Sequence, residues 1–325
     1  MSEFRWDPLK ATWVITANHR AREPREFFIE RQQAQTSACP FCSGHEGKTP
    51  AEVFALRSSG SPANGANWQV RVVPNKFPLL RSEGELGRRN EGLYEVMQGI
   101  GAHEVVIETP DHDRAMADFS TAEITQVLQG YRARLLDLRR DPRFRYLQIF
   151  KNHGFEAGAP LPHAHSQIMA VPITPPTTRM ELNVCRDYFR VNDRCLICDL
   201  IAQDLVDGRR VVYDDGRFLV VAPYASCFPF ELRLVPHRHG HDFALQDDDV
   251  VDRRRLVHHR IGGRRVGRVP GADRVESGAR VGAVPPFRIG RKLDDAQDRA
   301  ACGRLEPHRP RGSVVTTVVA RRRAG

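Results

Sequence analysis

The residues of this 325-residue chain best suited to chemistry lie in one run, Phe150-Lys-Asn152-His-Gly154-Phe-Glu-Ala-Gly158-Ala-Pro-Leu-Pro-His163-Ala-His165-Ser-Gln167. On an extended strand alternate side chains share a face, so His163, His165 and Gln167 are expected to project together. Two imidazoles and an amide on one face suit phosphoryl transfer: one ring attacks phosphorus while the amide steadies a non-bridging oxygen. Gly154 and Gly158 let backbone N–H groups approach phosphates closely. A His-x-His alone is often just a polar strand face, and Asn152 with Gly154 could form no more than a turn. Taken together at these offsets, with Gln167 following, they become specific to phosphate contact.

A second group of chemistry-bearing residues is the cysteines. The chain has seven, partly grouped as Cys39-Pro-Phe-Cys42 and Cys195-Leu-Ile-Cys198. A secreted disulfide framework would be denser, so the pairs point to metal or redox use; the thioredoxin pattern that would accompany a redox pair is absent.

The elements that must position these residues repeat. Cys39-x-x-Cys42 is followed by Val70-Arg-Val-Val-Pro-Asn-Lys-Phe-Pro78, then by His103-Glu-Val-Val-Ile and Pro110-Asp-His112. Cys195-x-x-Cys198 is followed by an apolar strand from Phe218 with a later Phe-Pro, then by a second strand from Phe230 that runs into Pro236-His-Arg-His239. The shared order argues for an internal duplication. Between the motifs, Ser120-Thr-Ala-Glu123 is a capping-box start, and Ile124, Val127, Leu128, Tyr131, Leu135 and Leu138 follow helical spacing. Residues 145–150 and 166–171 read as strands, and residues 172–178 as a linker.

With these residues in view, the chain resembles the galactose-1-phosphate uridylyltransferases, a branch of the histidine-triad superfamily. Their motif is Phe-Glu-Asn-Arg/Lys-Gly-x3-Gly-x4-His-Pro-His-x-Gln; this chain keeps Phe150, Asn152, Gly154, Gly158, His163, His165 and Gln167 and departs at Lys151, His153 and Ala164. The resemblance implies an α+β fold of two histidine-triad-like units, each an antiparallel sheet with packed helices, the second incomplete. It implies His165 as nucleophile with Gln167 in the catalytic set, and a Zn2+ held by Cys39, Cys42, His112 and His163. Two thiolates and two imidazoles make a closed tetrahedral structural site, with His103 a rival to His112. Asn75 and Phe77 would lie near base and ribose and Arg20 near the phosphates; a core position for Phe77 and a solvated loop charge for Arg20 are the plain alternatives. Cys195, Cys198 and His239 could hold a second metal. The reaction implied moves UMP between UDP-glucose and galactose 1-phosphate through a uridylyl-histidine, in a cytoplasmic homodimer. The departures resemble an adenylyl-transferring phosphorylase branch that uses ADP-glucose, and a nucleotide hydrolase is a further alternative.

Composition bounds the rest. No apolar run reaches the roughly 18–20 residues needed to span a bilayer, and residues 1–10 lack a signal-peptide layout, so a cytoplasmic, non-membrane protein is expected. The net charge of +9 would suit a zinc-binding nucleic-acid module, but residues 250–325 hold 19 Lys+Arg against 7 Asp+Glu, which leaves the body net acidic. That distribution argues against nucleic acid as a partner; the partners the resemblance implies are a sugar nucleotide and a sugar 1-phosphate. The expected division is a catalytic unit at 1–175, a truncated second unit at 176–249 and an aberrant, disordered tail at 250–325. The tail is dense in Arg, without sustained periodicity, and Phe287 is its only aromatic residue. A solvated basic tail and a nucleic-acid arm are two readings; a coding frame shifted near residues 249–255 is the third, because the repeat demands ordered sequence there.

Overall fold

The computed structural model describes residues 2–17, 39–154, 157, 159, 161–227, 231–245, 287–290 and 316–318. The chain opens on a hairpin, β1 (Ser2–Asp7) and β2 (Thr12–Ala17). The first unit follows with β3 (Phe54–Arg57) and β4 (Trp68–Pro74), then a small hairpin of β5 (Arg89–Glu91) and β6 (Tyr94–Val96). Next come β7 (Ala102–Ile107), α1 (Thr121–Leu138), β8 (Tyr146–Phe150) and β9 (His165–Val171). The second unit holds α2 (Pro176–Asn192), α3 (Leu196–Asp207), β10 (Val211–Asp214), β11 (Phe218–Val221) and β12 (Leu232–Pro236). Two late strands, β13 (Phe287–Gly290) and β14 (Thr316–Val318), join one sheet each.

The main sheet runs β3-β4-β7-β9-β8-β13, and every pairing in it is antiparallel. Alternation splits its side chains into two layers. One face carries Val70, Val72, Val106, Ile149, Ile168 and Ala170 into the core against α1, which contributes Ile124, Val127, Leu128, Tyr131, Leu135 and Leu138. The helix starts where the sequence says it should: Ser120 N–H donates to Glu123 Oε2 at 2.7 Å and Glu123 N–H donates to Ser120 Oγ at 3.4 Å. Such a box satisfies donors the first turn leaves free. The other face packs Trp68, Val73, Val105 and Ile107 under Phe41, and this is the face of His165 and Gln167. At Gly101 a Cβ would come within 2.4 Å of the Ala170 carbonyl oxygen, so only glycine lets β7 enter beside β9.

The second unit repeats the frame. β10-β11-β12 is an antiparallel run like β3-β4-β7; β12 runs into Pro236 and His239 as β7 leads to Pro110 and His112, and a Cys pair again precedes the run. Two expectations are corrected in detail. The linker is shorter than residues 172–178, because α2 already begins at Pro176, where proline's missing N–H costs nothing in a first turn. The tail is not wholly without structure: β13 pairs with β8, and β14 with β12, so β12 is not an open edge along Leu232–Leu234. Both segments carry β-branched residues and meet strands with unpaired backbone. The rest of 250–325 lies outside the described residues. No helix among the described residues is long and apolar enough to cross a membrane.

Candidate active site and metal centre

His165 opens β9, opposite Ile107 on β7, and Gln167 sits opposite Val105 and Phe150. His163 lies just ahead of the strand and is fully buried. The two imidazoles take different orientations for identifiable reasons. His165 Nδ1–H donates to the His163 carbonyl at 2.7 Å, which leaves the Nε2 lone pair free. His163 does the reverse: its Nε2–H donates to the Thr109 carbonyl at 2.7 Å, which leaves Nδ1 free to ligate. Burial holds both rings below the ordinary imidazole range, so both lone pairs are available at neutral pH.

His163 Nδ1 faces a cluster. It lies 3.7 Å from Cys39 Sγ and 3.7 Å from Cys42 Sγ, while His112 Nδ1 lies 3.3 Å from Cys42 Sγ. All four ligand atoms fall within 4.8 Å of one another. A tetrahedral ion bonded to sulfur and nitrogen at zinc distances sets S···N edges of about 3.5 Å, so the four side chains fit such an ion. Burial and the neighbouring Cys39 push the Cys42 thiol up to about 11, a cost that binding of a cation to the thiolate removes. His103, the rival ligand, is not in the cluster. Its Nε2 lies 2.7 Å from Gln167 Oε1, its Nδ1 accepts the Leu79 N–H at 3.3 Å, and so it belongs to the nucleophile's side of the sheet.

Beneath β9 runs a buried polar network. Lys151 Nζ donates to Glu108 Oε2 at 2.5 Å and to the His165 carbonyl at 2.9 Å. Tyr131 Oη donates to Glu108 Oε1 at 3.0 Å, and Ser166 Oγ reaches the same carboxylate oxygen. The backbone of His165 is thus held by a buried cation that a buried carboxylate neutralises. Phe41, inside the first Cys-x-x-Cys, packs edge-on against both His163 and His165, with centroids 6.1 and 5.3 Å away. Sequence reasoning missed Phe41, Glu108, Ser166 and the role of His103; the Lys151 departure from the family motif was the one signal pointing at the network.

The remaining expected residues divide. Asn75 follows β4, and its side-chain oxygen accepts the Phe77 N–H at 2.9 Å. Phe77 is 82% exposed, which removes the alternative of a core side chain. Asn152 is half-buried after β8, and Gly154 has φ +85°, a conformation only glycine adopts freely. Arg20 and Gly158 lie outside the described residues. In the second unit Cys195, Cys198 and His239 also converge, with Cys198 Sγ 3.1 Å from His239 Nδ1. There the Cys198 hydrogen bond draws the Cys195 thiol down to about 6, and burial lowers His239 to about 4.

Residues 1–175 match the family model for the galactose-1-phosphate uridyl transferase N-terminal domain. An Arabidopsis thaliana protein described as ADP-glucose phosphorylase is 34% identical over 251 residues, covering 76% of this chain and 69% of its own. The Thermotoga maritima galactose-1-phosphate uridylyltransferase is 27% identical over 240 residues, with 74% and 68% covered. Among solved structures, that of an Arabidopsis thaliana ADP-glucose phosphorylase with bound ADP-glucose superposes with a TM-score of 0.67 at 26% identity, covering 98% of this chain and 88% of the other. The chain is a member of the galactose-1-phosphate uridylyltransferase family, whose fold is α+β and histidine-triad-like.

Proposed function

We propose that this chain is a sugar-nucleotide nucleotidyltransferase that carries a nucleoside monophosphate on His165. The observation that carries the reading is the His165 ring: Nδ1 is bonded to the His163 carbonyl, and the buried, neutral Nε2 is left as nucleophile. Nε2 attacks the α-phosphorus; the P–O bond to the β-phosphate breaks and a sugar 1-phosphate leaves. An incoming phosphate oxygen then attacks the same phosphorus, the P–N bond breaks and the imidazole is restored. Gln167 would donate from its amide to a non-bridging oxygen in both steps. Zinc held by Cys39, Cys42, His112 and His163 would supply a structural cross-link that pins the loop before β9. Cys195, Cys198 and His239 would hold a second metal less firmly, with three ligands among the described residues.

Two acceptors suit this scheme. Galactose 1-phosphate with UDP-glucose gives uridylyl transfer; inorganic phosphate with ADP-glucose gives phosphorolysis. Likeness to the Arabidopsis protein, together with Lys151, His153 and Ala164, favours the adenylyl version. The chain is mixed with UDP-glucose or ADP-glucose, quenched and mapped by peptide mass spectrometry. One nucleotidyl group on His165 is expected, absent in His165→Asn, and its mass identifies the base. An adduct elsewhere, or one that survives His165→Asn, would show that the nucleophile is misassigned.

A further inference from the structure

We propose that His103 is a positioning residue of the transfer step: its ring fixes the amide of Gln167 so that the NH2 group, not the oxygen, is presented to the phosphate. The proposal rests on the nucleotidyl-transfer reading above. His103 is 8% exposed and stands on β7 one diagonal step from Gln167 on β9, on the same face of the sheet. The Leu79 backbone N–H can only donate, and it donates to His103 Nδ1 at 3.3 Å. The ring hydrogen therefore sits on Nε2, and Nε2–H donates to Gln167 Oε1 at 2.7 Å. With its oxygen held towards His103, Gln167 turns its NH2 group, two donors and no acceptor, to the other side. Facing a phosphoryl oxygen that gains charge, this is the stabilising orientation; the flipped amide would aim an acceptor at an anion.

His103 also touches the loop proposed to hold the nucleotide. Its carbonyl accepts the Asn75 N–H at 2.8 Å, and Asn75 Nδ2 lies 3.1 Å from the Nε2 edge. Because Asn75 Oδ1 is taken by the Phe77 N–H, that second approach sets two donors side by side, a contact and not a bond. The ring is thus wedged between the Asn75–Phe77 loop and Gln167. Its displacement should cost turnover more than binding, since a ground-state phosphate gains less than the transition state from an aligned donor.

The test is a double-mutant cycle on the full chain, with the rate of His165 nucleotidylation by ADP-glucose and UDP-glucose as readout. His103→Phe should slow adduct formation about 10–100-fold with KM changed less than about threefold. In a Gln167→Ala background the same substitution should cost less than about twofold, because the residue it acts through is gone. His103→Gln, whose side-chain NH2 can still donate to Oε1, should recover most of the rate. Should His103→Phe not fold, His103→Leu takes its place in the cycle. Losses that multiply in full, a His103→Gln rate no better than His103→Phe, or a His103→Phe rate equal to wild type would each overturn the proposal. A Gln167→Ala rate equal to wild type would overturn it together with the role of Gln167. No adduct on the unsubstituted chain would instead bring down the transfer reading itself.

Discussion

Lys151→Met should destabilise the first unit by about 3–5 kcal/mol, since it strands a buried carboxylate. The Lys151 side chain is 5% exposed and that of Glu108 is 0% exposed, with 2.5 Å between their charged atoms. Attraction across so short a gap offsets the desolvation of both groups only while both are present. Without Lys151, Glu108 keeps the hydroxyls of Tyr131 and Ser166 but loses its counter-charge. Removing both charges in Glu108→Gln/Lys151→Met should restore most of the loss, leaving the double variant within about 1–2 kcal/mol of wild type. Urea unfolding at neutral pH measures all of these variants. A Lys151→Met cost below about 1 kcal/mol, or a double variant no better than the single, would refute the pairing argument. Lys151→Glu, which restores the glutamate of the family motif, should be worse than Lys151→Met because two carboxylates would then share one buried pocket. The departure at Lys151 is on this view one half of a matched pair whose other half is Glu108.

Other outcomes are expected from the same geometry. Cys42→Ser should lower bound zinc by about one equivalent per chain, measured by plasma mass spectrometry, whereas His103→Ala should leave it unchanged; the opposite pattern would move the ligand role to His103. Glu123 is held down to about 2, first by its bond from Arg114, so Glu123→Gln should cost stability at pH 7. Because the folded pKa is depressed, that cost should shrink as pH falls from 4.5 towards 2 and vanish below it, as followed by urea midpoints. Leu135→Ala, in the fully buried row of α1, should cost about 2–5 kcal/mol in the same assay.

What could be read from residues alone was what period and spacing encode. The run from Ile124 to Leu138 became α1, and residues 145–150 and 166–171 became β8 and β9 within a residue, because alternation and helical spacing are local properties. The cluster of Cys39, Cys42, His112 and His163 was legible because metal ligands carry their chemistry in their residue type. His103 was not. Its distance from Gln167 depends on the β7/β9 register, which no local pattern reveals, so a histidine on the same segment as His112 read as a rival ligand. Glu108 and Ser166 failed to stand out for the same reason: a lone Glu and a lone Ser gain meaning only when the sheet brings Lys151 and Tyr131 to them.

The repeat also makes a prediction about residues after 249. In the first unit the strand beside β7 is β9, and it brings His165 and Gln167. In the second unit the place beside β12 is taken by β14, Thr316–Val318, which brings no imidazole to the Cys195, Cys198 and His239 cluster. A duplicated unit should instead enter that place after a helix, with a His-x-His strand to complete the ligand set. The Arg-dense sequence of 250–325 offers His258 and His259 side by side, which on a strand would face opposite ways. A shifted frame accounts for both facts, since a GC-rich gene read out of register yields Arg, Gly and Pro without periodicity. The coding DNA beyond codon 249, translated in the other two frames, should therefore encode a helix followed by a His-x-His strand, and a chain rebuilt on it should bind a second zinc more tightly than this one. If neither frame encodes such a strand, and residues 250–325 prove resistant to proteolysis in the purified protein, the tail is native sequence and the duplication ends at β12.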